Sequence, residues 1–211
     1  MIRLLIADDH PVVRQGLRRI VADHPGLEVV GEAVNGDEVL ASLPRLPADV
    51  VLLDIAMPGP GFLQVLQRLR ADHPTVAVLV LSVHPEDQYA VRALRSGAAG
   101  YLTKDHSPEQ LVEAIRKVHR GGRYVSPTLA ERLAADLATT GTQQVRHELL
   151  SHREYEVLCL LGSGRTVKEI SAELRLSPKT ISTYRARLLE KMQATTNADL
   201  VRYAAQHGLI R

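Results

Sequence analysis

Cysteine is almost missing from this chain: Cys159 stands alone among 211 residues. That excludes an intrachain disulfide framework and a multi-cysteine zinc site, and it fits a reducing cytoplasm. Aromatic residues are scarce, at 3%, so Leu, Val, Ile and Ala must fill the interior. No apolar run approaches the ~20 residues that a membrane span needs. The opening MIRLLIADDH turns acidic too soon for a secretory segment. The 9 histidines show no zinc-ligand spacing. Neither sign of charge dominates, the formal net charge being +2.

What is present is enough to fold. Hydrophobic residues make up 45% of the chain, which argues against wholesale disorder. The charge is unevenly spread. Residues 1–120 carry 13 Lys/Arg against 15 Asp/Glu, whereas residues 145–211 carry 11 against 7. A basic C-terminal module points to a polyanionic partner there.

Residues 1–120 alternate in type. Apolar runs at 2–7, 27–34, 49–54, 76–81 and 99–103 read as strands, with helical patterns at 11–23, 36–43, 61–71, 86–96 and 107–120. Strands separated by helices imply βα units and a parallel sheet covered on both faces. Ser107 followed by Pro108 marks a helix start. Gly121-Gly122 ends the fifth helix, and 126–138 reads as a short helix capped by Ser126. The polar stretch 139–144 is a linker. Residues 145–211 show only helical patterns, at 151–163, 167–174, 178–192 and 197–207. The expected architecture is an α/β five-stranded parallel doubly wound (flavodoxin-like) domain over 1–120, a linker with a short helix over 121–145, and a small all-α domain over 146–211.

Functional residues of an open parallel sheet gather at the carboxyl ends of its strands. Asp8 and Asp9 end the first strand, Asp54 the third and Ser82 the fourth, while Lys104 follows the fifth. Carboxylates so close repel unless a cation joins them, and oxygen-only ligands suit Mg²⁺. One carboxylate would then be free to attack a phosphoryl group.

This pattern, with Met57-Pro58 after Asp54 and with Tyr101 before Lys104, resembles the receiver domain of two-component response regulators over about residues 1–120. The resemblance implies that Asp54 is the phosphoacceptor. It implies that Asp8, Asp9, Asp54 and the backbone carbonyl of Ala56 hold Mg²⁺. Ser82 and Lys104 would contact the phosphoryl oxygens, and Tyr101 would turn inward as Ser82 moves. Two departures stand out. Phe62 occupies a position where receivers commonly carry glycine, the glycine appearing one place earlier as Gly61 within Pro58-Gly59-Pro60-Gly61, and Asp105 replaces a frequent proline. The first implies an altered loop after the third strand. His10 and His84 are expected at the rim of the pocket.

In the basic segment, VKEISAEL and SPKTISTYRARLLEKM joined by Arg175-Leu176 form a helix-turn-helix pattern. Ser177 suits an N-cap and Pro178 the first helical position. Ile181, Tyr184, Leu188 and Met192 share one face of the second helix, and Lys179, Ser182, Thr183, Arg185, Ala186 and Arg187 the other. The string over about 148–210 resembles the LuxR-type DNA-binding domain of NarL/FixJ-class regulators. That resemblance makes Ser182, Thr183 and Ala186 candidate base-reading residues. Lys179, Thr180, Arg185, Arg187 and Lys191 become candidate phosphate contacts. Glu154 and Glu156 point apart on a helix and read as capping or surface residues; Cys159 reads as a small buried residue.

The expected function is phosphorylation-dependent transcription regulation in a two-component system, not enzymatic. The implied partners are a sensor histidine kinase, double-stranded DNA and, on activation, a second copy of the chain; no membrane is implied. Two other readings stay open. An aspartyl-phosphate phosphatase would need a second acid close after Asp54, where Ile55 and Ala56 stand. A phosphate-independent interaction module would need no acidic set, which is intact here.

Overall fold

The computed structural model describes residues 1–83, 86–131, 147, 150–174 and 176–210; for 86–88 and 152 it describes the backbone only. His84 and the linker 139–144 lie outside the described residues, as does 132–138 of the short helix expected at 126–138. The chain divides into two compact units, Met1–Thr140 and Gly141–Arg211.

In the first unit, five strands form one sheet in the order β2-β1-β3-β4-β5. They are β1 (Ile2–Ala7), β2 (Leu27–Ala33), β3 (Val50–Asp54), β4 (Ala77–Ser82) and β5 (Gly100–Thr103). All pair in parallel. Between and after them run α1 (Pro11–Ala22), α2 (Gly36–Ser42), α3 (Phe62–Asp72), α4 (Glu86–Arg95) and α5 (Pro108–His119). The boundaries differ from those expected by one residue at most ends, the usual fraying of element termini. β3 is buried along its whole length, as a central strand covered by helices on both faces must be. Leu4, Ile6, Leu52, Leu79 and Leu81 pack with Leu17, Leu111 and Ile115 in one apolar cluster. Each such side chain contributes roughly 1.5–3 kcal/mol by leaving water.

The sheet reverses direction of growth at β1, which has β2 on one side and β3 on the other. A ligand crevice opens at such a switch point, outside the carboxyl ends of the strands. The register brings those ends level: Ala7 lies beside Leu53, Asp54 beside Leu81 and Ser82 beside Thr103.

The second unit contains α6 (His152–Gly162), α7 (Val167–Glu173), α8 (Pro178–Met192) and α9 (Asn197–Gln206). Their starts are chemically marked. Ser151, Thr166 and Thr196 form capping boxes with Glu154, Glu169 and Asp199. Ser177 caps α8 ahead of Pro178. Tyr155, Leu158, Ile170, Ile181, Leu188, Met192 and Leu200 are buried, and so is Cys159. Gly162 permits close packing, since a Cβ there would lie 3.0 Å from the Ala204 side chain. Ser171 donates its hydroxyl to the Leu176 carbonyl at 2.6 Å, which closes the α7–α8 turn.

Candidate phosphorylation site and nucleic-acid interface

The strand ends bring Asp8, Asp9, Asp54, Ser82 and Lys104 to one crevice, as their sequence positions predict. Asp8, Asp54 and Ser82 are buried, Asp54 being 2% exposed. The Lys104 ammonium bridges two carboxylates, 2.6 Å from Asp8 Oδ2 and 3.1 Å from Asp54 Oδ1. The Lys104 backbone N–H donates to the Ser82 carbonyl at 2.7 Å, so β4 fixes the root of the lysine. Asp8 also accepts the His10 backbone N–H at 2.8 Å.

Burial pushes the Asp54 carboxyl above its ordinary pKa; Lys104 pulls the other way and Asp8 adds to the rise. Burial tends to lower the Lys104 pKa, but Asp54 and Asp8 outweigh it and hold the ammonium charged. Two carboxylate oxygens remain without a hydrogen-bond partner, Asp54 Oδ2 and Asp9 Oδ1. Unpaired buried anionic oxygens are costly unless a cation or donor meets them. One ligand atom from each of Asp8, Asp9, His10 and Asp54 lies within 4.8 Å of the others. The donor set therefore fits a divalent cation.

Tyr101 is fully buried, so its ring occupies the inward position. Beyond it, the chain after α5 returns to the open edge of β5. Tyr124 donates its N–H to the Ala99 carbonyl at 3.0 Å and accepts the Tyr101 N–H at 3.2 Å. Nothing in the local sequence pattern marks this pairing except Gly100, where a Cβ would come within 2.8 Å of the Tyr124 carbonyl oxygen. The loop after β3 packs on the start of α2, with the Gly36 N–H donating to the Pro58 carbonyl at 3.3 Å. Gly59 takes φ +95°, a conformation that favours glycine. Phe62 is buried as the first residue of α3, with Gly61 at the N-cap.

In the second unit, Ile181, Leu188 and Met192 of α8 face inward and Tyr184 is half-buried. Lys179, Ser182, Thr183, Ala186 and Arg187 are exposed. Four candidates are engaged within the protein, exposed Thr183 by donating its hydroxyl to the Lys179 carbonyl at 3.0 Å. The Thr180 hydroxyl lies 2.8 Å from that of Ser177. Half-buried Arg185 donates to Asn197 Oδ1 at 2.6 Å. Lys191 lies 2.7 Å from Glu154 Oε2. The partners of Arg185 and Lys191 were not visible in the sequence, since they come from α9 and from the start of α6.

Comparison with known proteins agrees with this geometry. Residues 4–116 match the response regulator receiver domain, and residues 148–204 match the bacterial regulatory proteins of the luxR family. The chain belongs to the two-component response regulators of the NarL/FixJ class, a flavodoxin-like receiver followed by a luxR-type DNA-binding domain. It is a phosphorylation-dependent, DNA-binding transcription regulator. It is similar to the response regulator GacA of Pseudomonas viridiflava, with 41% identity over 100% of this chain and 98% of that one. UvrY of Escherichia coli K12 is 37% identical over 99% of this chain and 96% of its own. Among solved structures, RcsB of Salmonella enterica serovar Typhimurium, bound to a promoter in the presence of phosphomimetic BeF₃⁻, is 26% identical. It aligns with TM-score 0.59 over 98% of both chains. Among the described residues, no helix is long and apolar enough to cross a membrane.

Proposed function

We propose that Asp54 is the residue of this regulator that takes up phosphate, from the phosphohistidine of a sensor kinase in the cytoplasm. The observation that carries the reading is the buried Asp54 carboxylate, with Oδ1 on Lys104 and Oδ2 unpartnered. An Asp54 oxygen attacks phosphorus in line, the P–O bond forms as the P–N bond breaks, and the histidine nitrogen leaves with the electron pair. Asp8, Asp9, Asp54 and the Ala56 carbonyl would hold Mg²⁺, which when bound offsets charge on the transferring oxygens. Lys104 is placed to pair with the phosphoryl group once Asp54 carries it, and the Ser82 hydroxyl to donate to it. With Ser82 drawn to the phosphoryl group, Tyr101 is held in the inward position it already occupies, which favours the surface of α4, β5 and α5 that forms a homodimer. The chain itself turns over no substrate.

The functional modules are residues 1–120 and 146–211, joined by 121–145. Two copies of 146–211 set α8 into adjacent major-groove half-sites of double-stranded DNA. Ser182, Thr183 and Ala186 read base edges, while Lys179, Thr180, Arg185, Arg187 and Lys191 meet phosphates. RcsB bound to its promoter supports this DNA reading by likeness. The test is labelling by acetyl phosphate. Wild-type protein with Mg²⁺ takes up label, Asp9→Asn takes up less, and Asp54→Asn takes up none. Wild-type labelling of Asp54→Asn would refute the assignment.

A further inference from the structure

The end of α5 gathers more positive charge than the helix dipole calls for. A helix C-terminus welcomes a cation, and α1 and α3 carry one each in their last turns, Arg19 and Arg70. The last turn of α5 carries Arg116, Lys117 and His119. Arg120 and Arg123 follow within four residues of it. All of these side chains are exposed.

Their bonds place them on one edge of the receiver. Arg116 donates to the Pro25 carbonyl, just before β2, at 3.4 Å. Arg123 donates to the Ala98 carbonyl, just before β5. Both guanidinium groups therefore lie over the amino ends of the strands, the edge opposite the acidic cluster. One such bond fixes the head of an arginine and leaves donors to spare. Among the described residues, Arg116, Lys117, Arg120 and Arg123 have no carboxylate as ion-pair partner, whereas Arg3, Arg14 and Arg18 pair with Asp49 or Glu32. An array of held, unneutralised guanidinium groups suits phosphate, whose oxygens match their planar fork.

The course of the chain says which phosphates these are. From Glu131 to His147, at the start of the DNA-binding unit, is a step of 16 residues. That length spans at most ~55 Å, about one and a half turns of DNA. Once α8 lies in a half-site, the tether keeps the receiver within reach of the neighbouring duplex, so even a weak contact adds to affinity. We infer that Arg116, Lys117, Arg120 and Arg123 form a second polyanion-binding surface, which grips the phosphate backbone of DNA flanking the half-sites. The inference rests on reading 146–211 as the module that holds the DNA. The surface adds affinity and salt dependence but no choice of sequence, since phosphates carry none.

The test uses full-length protein and two duplexes with the same core, selected from random DNA by wild type. One is trimmed to the half-sites, and the other extends about 15 bp further on each side, the reach of the tether. Melting curves first show that each variant folds, and fluorescence anisotropy then reads binding against salt. On the extended duplex, Arg116→Gln/Arg120→Gln/Arg123→Gln should bind about tenfold or more weakly than wild type, with a salt slope lower by about two to three units. Lys117→Gln, which breaks no backbone bond, should lower the slope by about one unit. On the trimmed duplex both variants should match wild type. Equal losses on the two duplexes, or no loss on either, would overturn the inference. So would tighter binding of the variants to the trimmed duplex, the mark of a surface that holds the DNA-binding unit instead. Wild type bound to neither duplex would overturn it together with the DNA reading beneath it.

Discussion

Lys191 at the end of α8 and Glu154 at the start of α6 form an ion pair, 2.7 Å from Nζ to Oε2, on a carboxylate that is 2% exposed. The same Glu154 oxygen accepts the Ser151 N–H at 2.8 Å. The pair ties α8 to α6.

Burial works to raise the Glu154 pKa, but the bonds from Lys191 and Ser151 prevail and hold it below the usual glutamate value. The folded state therefore gains from the charged form above that usual value, and loses the gain as pH falls through the lowered one. Glu154→Gln should cost about 1–2 kcal/mol near neutral pH, allowing for the half-exposed lysine. The cost should shrink at acid pH. Urea titration followed through amide signals of residues 152–162 checks this; equal stability at neutral pH would remove the structural role.

Asp54 titrates with the opposite sign. Its raised pKa means that the folded state binds more protons than the unfolded chain just above the ordinary aspartate value, so stability falls as pH rises through that window. Asp54→Asn removes the buried charge, and Lys104 keeps Asp8 as its partner. In the absence of divalent ions the variant should melt at a higher temperature than wild type at neutral pH, with the gain vanishing below the ordinary aspartate range. Melting curves in chelator at several pH values decide it; a lower melting temperature at neutral pH contradicts the account.

The pairing of Tyr124 with β5 makes a third prediction. Gly100→Ala places a methyl group against the Tyr124 carbonyl oxygen and Cβ, at 2.8 and 2.9 Å. Overpacking of this kind costs roughly 1–3 kcal/mol. Displacement of the segment should expose the amides of Tyr101 and Tyr124, which bond across the edge. Hydrogen exchange reads this directly; unchanged protection at both amides would show that the segment absorbs the methyl.

The sheet and the strand-end cluster were legible because both follow from short-range rules. Apolar runs such as residues 50–53 read as buried strands, and a parallel sheet sends its strand ends to one edge. The faces of α8 were equally open to a 3.6-residue count. The partners that take up Lys191 and Arg185 were not, because Glu154 and Asn197 come from other helices and no local period encodes their approach. The Tyr124 pairing was hidden for the same reason. His10 read as a rim residue, and its exposed side chain borders Asp8 and Asp9.

On α8, affinity and specificity should separate. With exposed Lys179 and Arg187 proposed to meet phosphates, alanine at either should weaken binding to all sequences and lower the salt slope by about one unit. Arg185→Ala should do the same and also loosen α8 from Asn197. Replacing Ser182 or Thr183 should change the preferred sequence, with about 1–3 kcal/mol at stake per base contact. Selection from random DNA, with binding titrated against salt, tests the division. A changed preference in Arg187→Ala with none in the Ser182 or Thr183 variants would reverse the two roles.

The most direct test of the central claim is chemical trapping of the acyl phosphate. Protein treated with acetyl phosphate and Mg²⁺ is reduced with borohydride, which converts a phosphorylated aspartate to homoserine, and its peptides are mapped by mass spectrometry. The account predicts homoserine at position 54 alone, absent when the metal is chelated. Homoserine at position 8 or 9, or none in protein that has taken up label, would contradict it.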